Sequence, residues 1–146
     1  MKTLLLLFSL FAAIFILGAC NLTPRTTPVA ESERDAVLAF ADPKTDGLLA
    51  GFNAGDYAAY SHDFDTTMRN ALPEPSFIQT RQLVTGKIGK YVSRKVDRVE
   101  RIGEYVAVVY SATFEQEEGV TVRVVFTPAD DHLITGLFFT SPKLRE

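Results

Sequence analysis

Residues 105–126, YVAVVYSATFEQEEGVTVRVVF, decide the fold, because apolar residues recur at every second position on both sides of a compact turn signal. Val106, Val108, Tyr110, Ala112 and Phe114 share one face of the first half, and Val120, Val122, Val124 and Phe126 share one face of the second. The turn between them, Glu117-Glu118-Gly119, is short enough to make the two strands antiparallel neighbours. Two further turn signals, Gly103-Glu104 and Ala129-Asp130-Asp131, flank the pair, so the chain from Lys90 onward divides into four strands. The last of these, His132 to Ser141, is apolar on both faces through Leu133, Ile134, Leu137, Phe138 and Phe139, and Gly136 marks a bulge or bend within it.

Upstream the period is helical. Ser32 and Asp35 read as a capping box ahead of Val37, Leu38, Phe40 and Ala41. At Asp42-Pro43 the helix is expected to restart, with Asp42 as cap and Pro43 in the first helical position, and Leu48, Leu49 and Phe52 follow before Gly55 ends the run. Asp56 is placed to cap a short helix with Tyr57 and Tyr60, and Asp65 another with Met68 and Leu72. After Pro73 and Pro75 a last helix carries Phe77, Ile78, Leu83 and Val84 to a stop at Gly86. Helices followed by an antiparallel meander predict an α+β fold, N-terminal helices packed on a curved four-stranded antiparallel sheet.

The N-terminal end reads differently. Met1-Lys2 is a short positive start, and Leu4 to Leu17 then run apolar apart from Ser9, which suits the core of a secretory signal and falls short of the roughly 20 residues of a membrane span. Leu17-Gly18-Ala19-Cys20 resembles the lipobox of bacterial lipoproteins, in which the cysteine is lipidated and becomes the new N-terminus. Cys20 is the single cysteine of the 146 residues, which leaves it no internal disulfide partner. The expected organisation is a signal peptide at 1–19, a lipidated Cys20 with a Pro- and Thr-containing tether over 20–31, and one domain over 32–146, exported and held on the extracytoplasmic side of a membrane. An ordinary signal leaving a free thiol, or an uncleaved anchor helix, are the other readings of this segment.

A formal net charge of -3 with no basic block offers nothing for nucleic acid. The runs Leu48 to Tyr57, Phe64-Asp65 with Met68, Gly89-Lys90-Tyr91, Tyr110 to Glu115 and Gly136 to Phe139 resemble a bacterial and archaeal domain of unknown function in the cystatin-like cone superfamily, beside nuclear transport factor two, SnoaL and ketosteroid isomerase. The resemblance covers roughly residues 43 to 140 and implies a cone, with helices over the concave side of the sheet and a pocket between them. It carries no catalytic motif, and fold alone does not transfer function.

Site residues therefore rest on chemistry. Isomerase or hydro-lyase work on an apolar substrate needs a buried carboxylate or His–Asp pair, for which His62 and Asp65, three apart, are the candidates. The plainer reading makes Asp65 a helix cap and His62 a surface residue. Asp130, Asp131 and His132 lack the spacing of a metal site, and no glycine-rich phosphate loop or Gly-x-Ser-x-Gly elbow is present, so no cofactor or metal is expected. Tyr60, Phe64, Tyr110, Phe114 and Phe138 are the expected walls of a pocket for a small apolar ligand. If Val108 and Phe138 point inward, Val109, Val125, Leu137 and Phe139 face outward and are available for a homodimer through the sheet. The reading favours a non-catalytic membrane-anchored module over an enzyme.

Overall fold

A computed structural model describes residues 25–146; the expected signal segment and Cys20 lie outside the described residues. The alternation over 105–126 becomes β3 (Tyr105–Phe114) and β4 (Glu117–Phe126), paired antiparallel with Val108 opposite Val124 and Tyr110 opposite Val122. They sit inside one antiparallel sheet with β1 (Thr26–Pro28), β2 (Tyr91–Ile102) and β5 (Ile134–Thr140), in the order β1-β2-β3-β4-β5. The sheet thus has five strands, not four. The additional strand comes from the expected tether, where Thr26 pairs with Ile102 and Pro28 with Glu100. Pro28 is tolerated because β1 lies at the margin of the sheet, where half of its backbone groups have no strand partner.

Helices α1 (Glu31–Ala54), α2 (Tyr57–Tyr60), α3 (Thr66–Ala71) and α4 (Glu74–Ile88) pack on the face of the sheet formed by Val108, Tyr110, Phe114, Val122, Val124 and Phe126; α5 (Pro142–Arg145) ends the chain. Phe52, Tyr60, Phe64, Phe77, Leu48 and Leu49 are buried against that face, each contributing about 1.5–3 kcal/mol by leaving water. The expected caps Asp56 and Asp65 accept from the N–H groups of Ala59 (3.1 Å) and Met68 (2.7 Å).

Other helix signals are overridden by packing. Ser32 and Asp35 form no capping box, because α1 already starts after Ala30, with no side-chain cap. The chain does not restart at Asp42-Pro43 either. Pro43 sits inside α1, whose two halves bury Val37 and Ala41 on one side of it and Leu48, Leu49 and Phe52 on the other, and this burial offsets the hydrogen bond that the proline removes. α4 passes through Gly86 to end at Gly89, and its expected apolar stripe divides: Phe77 and Val84 are buried, while Ile78 and Leu83 are exposed.

The largest departure is in β5. Val125 pairs with Gly136 but the next residue, Phe126, pairs with Ile134, so Thr135 is an extra residue in the ladder. A one-residue slip exchanges the faces of everything beyond it. Leu137 and Phe139, opposite Val124 and Val122, therefore point toward the helices, and Phe138 projects outward with 54% of its surface exposed. The outward apolar set expected for a homodimer shrinks accordingly. Val109 faces outward but is buried, on the same face as the ion pairs joining Arg98, Glu100 and Arg123.

Candidate functional site

Two places on the helix side of the sheet gather polar or accessible groups. The first is a clamp between α1 and the sheet. Arg94 on β2 donates to the Asp42 carboxylate (2.9 Å), the Asp42 carbonyl (3.1 Å) and the Asp46 carboxylate (2.7 Å), and its guanidinium lies 4.2 Å from the centre of the Tyr110 ring. The Tyr110 hydroxyl donates to Asp42 (3.0 Å) and lies 3.3 Å from the buried Thr45 hydroxyl. Asp42, which reads in sequence as a helix cap, is instead the shared acceptor of this cluster. Burial alone would lower the Arg94 guanidinium, but Tyr110, Asp46 and Asp42 outweigh it and hold the group above its ordinary value. Burial pushes the Tyr110 hydroxyl up against smaller opposing effects of Thr45 and Arg94. A charged Arg94 and a neutral Tyr110 tie helix to sheet.

The second place is a cleft of about 330 Å³ between α4, α5 and β5. Its walls are Leu72, Leu83, Val84, Leu137, Phe139 and Leu144, with Thr80 and Tyr60 as polar members. Tyr60 is held there by a close approach of helices. A Cβ on Gly51 would lie 2.4 Å from the Tyr60 backbone nitrogen, so only glycine lets α1 and α2 touch at this point. Tyr60 is 2% exposed, its ring packs on Phe77 and Phe64, and burial, then Tyr57, pushes its hydroxyl up, with no side-chain hydrogen bond contributing. With the hydroxyls of Thr80 and Thr140, that hydroxyl supplies the polar groups of a mostly apolar cleft. A larger depression of about 500 Å³ near Ser93, Lys95, Ser111 and Thr113 is open, and Arg94, the arginine of the clamp, also lines it.

Of the residues expected to wall a pocket, Tyr60 and Phe138 line this cleft, whereas Phe64, Tyr110 and Phe114 are buried core. Phe138 reaches it from the outer side of the strand. Leu83, Val84, Leu72 and Leu144 are not among the walls expected from the sequence; exposed Leu83 beside buried Val84 on α4 is the signal that an apolar helix face is only partly covered. His62 and Asp65 are not brought together as an acid–base pair. The His62 side chain is 80% exposed beside Asp63 (3.4 Å), and Asp65 caps α3. His132 stacks on Phe40 at 3.8 Å, and the Asp131 carbonyl accepts from Lys44. Among the described residues no three His, Cys, Asp or Glu side chains gather as metal ligands, and no helix is long and apolar enough to cross a membrane.

No curated protein and no solved structure matches the chain. One family model does, over residues 47–137, which runs from the second half of α1 through the clamp residues Arg94 and Tyr110 to Leu137 at the cleft. The chain belongs to the family described as protein of unknown function (DUF3887).

Proposed function

We propose that the protein is a lipoprotein of the cell envelope, anchored through Cys20, whose domain is a non-catalytic binding module with the α4–α5–β5 cleft as its site. The observation that carries this reading is the cleft itself: about 330 Å³ with mostly apolar walls and the hydroxyls of Tyr60, Thr80 and Thr140, the composition of a site that takes a mostly apolar ligand and orients it by a few hydrogen bonds. Helices on one face of an antiparallel sheet support the cone reading. The apolar run ending in Leu17-Gly18-Ala19-Cys20 supports export and lipidation. The acid–base alternative has little to work with, since His62 faces solvent and Asp65 is engaged as a cap.

Native mass spectrometry of the full chain, taken from its membrane into lipid nanodiscs, tests both halves. A mass lacking residues 1–19 and carrying acyl chains, with one retained ligand, a small molecule or a peptide, that Leu83→Asp abolishes, is expected. An unprocessed N-terminus sinks the anchor. A chain that binds nothing sensitive to Leu83→Asp sinks the cleft as a site.

A further inference from the structure

Leu137, Phe138, Phe139 and Thr140 are consecutive on β5 and their side chains alternate between the two faces of the sheet, yet all four line the cleft. A cleft meets successive residues of a strand only where it runs along the strand's edge. β5 is the last strand in the sheet order, so that edge presents backbone N–H and C=O groups with no strand beyond them. Its first residue already has a partner there: Ile134 donates to the Asp63 carbonyl (2.7 Å) and accepts from the Asp65 N–H (2.9 Å), in a parallel bridge with Phe64. Gly136 is buried, and from Leu137 to Thr140 the strand makes no backbone hydrogen bond beyond the sheet among the described residues.

The opposite margin of the sheet is protected. β1 covers β2 from Glu100 to Ile102, and the uncovered part of β2 carries Arg94, Lys95, Asp97 and Arg98 together with two register shifts, the usual devices against a further strand. β5, ITGLFFT, has neither charge nor proline. No residue lining the cleft is charged, and its polar side chains are the hydroxyls of Tyr60, Thr80 and Thr140.

We propose that the cleft takes an extended peptide segment of a partner protein, which adds to β5 as a further strand. This rests on the reading of the cleft as a binding site and names its ligand. A peptide supplies backbone donors and acceptors to the open edge, which a purely apolar molecule does not. Its apolar side chains, at alternate positions, face Leu72, Leu83, Val84 and Leu144, and the edge from Leu137 to Thr140 has room for about four residues at roughly 3.3 Å each. The uncharged lining selects against Asp, Glu, Lys and Arg at the inward positions.

The test is selection from a phage-displayed library of random dodecapeptides on the full chain in phosphatidylethanolamine–phosphatidylglycerol nanodiscs, followed by amide exchange with synthetic copies of the selected peptides. Peptides with apolar residues at alternate positions are expected to slow exchange by about tenfold or more at those amides of Leu137–Thr140 that point away from β4. N-methylation of alternate peptide nitrogens should abolish binding, and Leu83→Asp should weaken it by about tenfold while leaving the melting temperature in place. Failure to select such peptides, binding that leaves β5 exchange unchanged, or full binding by N-methylated copies overturns the proposal. If the cleft instead retains a small molecule that Leu83→Asp releases, the binding reading stands and the peptide falls; if it holds neither, both fall.

Discussion

Gly51→Ala isolates the contact that places Tyr60. Within helix α1 the substitution alone is favourable by up to about 1 kcal/mol, because alanine is the better helix former. The added methyl, however, would sit 2.4 Å from the Tyr60 nitrogen, 2.8 Å from its Cα and 2.9 Å from the Ala59 carbonyl carbon. All three are backbone atoms, so no side-chain rotation relieves the overlap, and α1 and α2 must separate by about 1 Å, a strain of the kind that costs roughly 1–3 kcal/mol. Gly47, on the same helix, and Gly86, on α4, would place an added methyl with nothing within 4 Å of it, and serve as controls. Urea unfolding should therefore give a lower midpoint for Gly51→Ala at unchanged slope, and equal or higher midpoints, by up to about 1 kcal/mol, for Gly47→Ala and Gly86→Ala. Amide exchange should quicken across 57–64 in the first variant only, since that segment carries Tyr60. A Gly51→Ala chain as stable as the two controls would refute the argument that this approach fixes Tyr60 at the cleft.

Three further outcomes follow from the same geometry. Tyr110→Phe and Arg94→Met should each lose about 1–3 kcal/mol in denaturant unfolding, and the double variant should lose less than the sum, because both groups meet at Asp42; strict additivity would deny the clamp. Tyr60 and Tyr110 are pushed above their ordinary value of 10.0, so the folded state holds their protons more tightly than the unfolded state: that stability is complete below about pH 10 and is lost as pH rises toward the folded values. Tyrosinate absorbance should accordingly show part of the tyrosine complement ionising only with unfolding, and full ionisation of all five in the folded chain would contradict the burial. Asp65→Ala should cost about 1 kcal/mol by thermal melting, with Asp65→Asn recovering most of it, as expected of the cap on Met68; equal loss in both would point to a need for the charge.

The sheet is legible where alternation runs without interruption. Val108 to Phe114 and Val120 to Phe126 announce their inward face because every second residue is apolar, and the structure buries that set. The caps at Asp56 and Asp65 are legible for a related reason: a short local contact decides them. Asp42 is not, since a carboxylate before proline satisfies the local rule for a helix start, and only the distant Arg94 and Tyr110 explain why it lies within a continuous helix. β1 is hidden by composition. Three residues with Thr and Pro hold too little apolar surface to signal a strand, and their pairing follows from β2 being long enough to receive them.

Phe138 shows why the site is harder to read than the fold. With strict alternation from Ile134, Phe138 points inward and the cleft becomes a pocket of the sheet's concave face; one extra residue at Thr135 reverses this and makes the strand's edge the wall instead. Gly136 is the local trace of that device, because a Cβ there would crowd Val125 and the Phe138 ring at 3.2–3.3 Å. Gly136→Ala should therefore push Phe138 off the outer face, and the consequence to measure is at the cleft: a shift of the β5 edge that weakens ligand retention more than it weakens the fold. Loss of stability with unchanged retention would mean that the bulge serves packing alone and that the edge is not held in place for a partner.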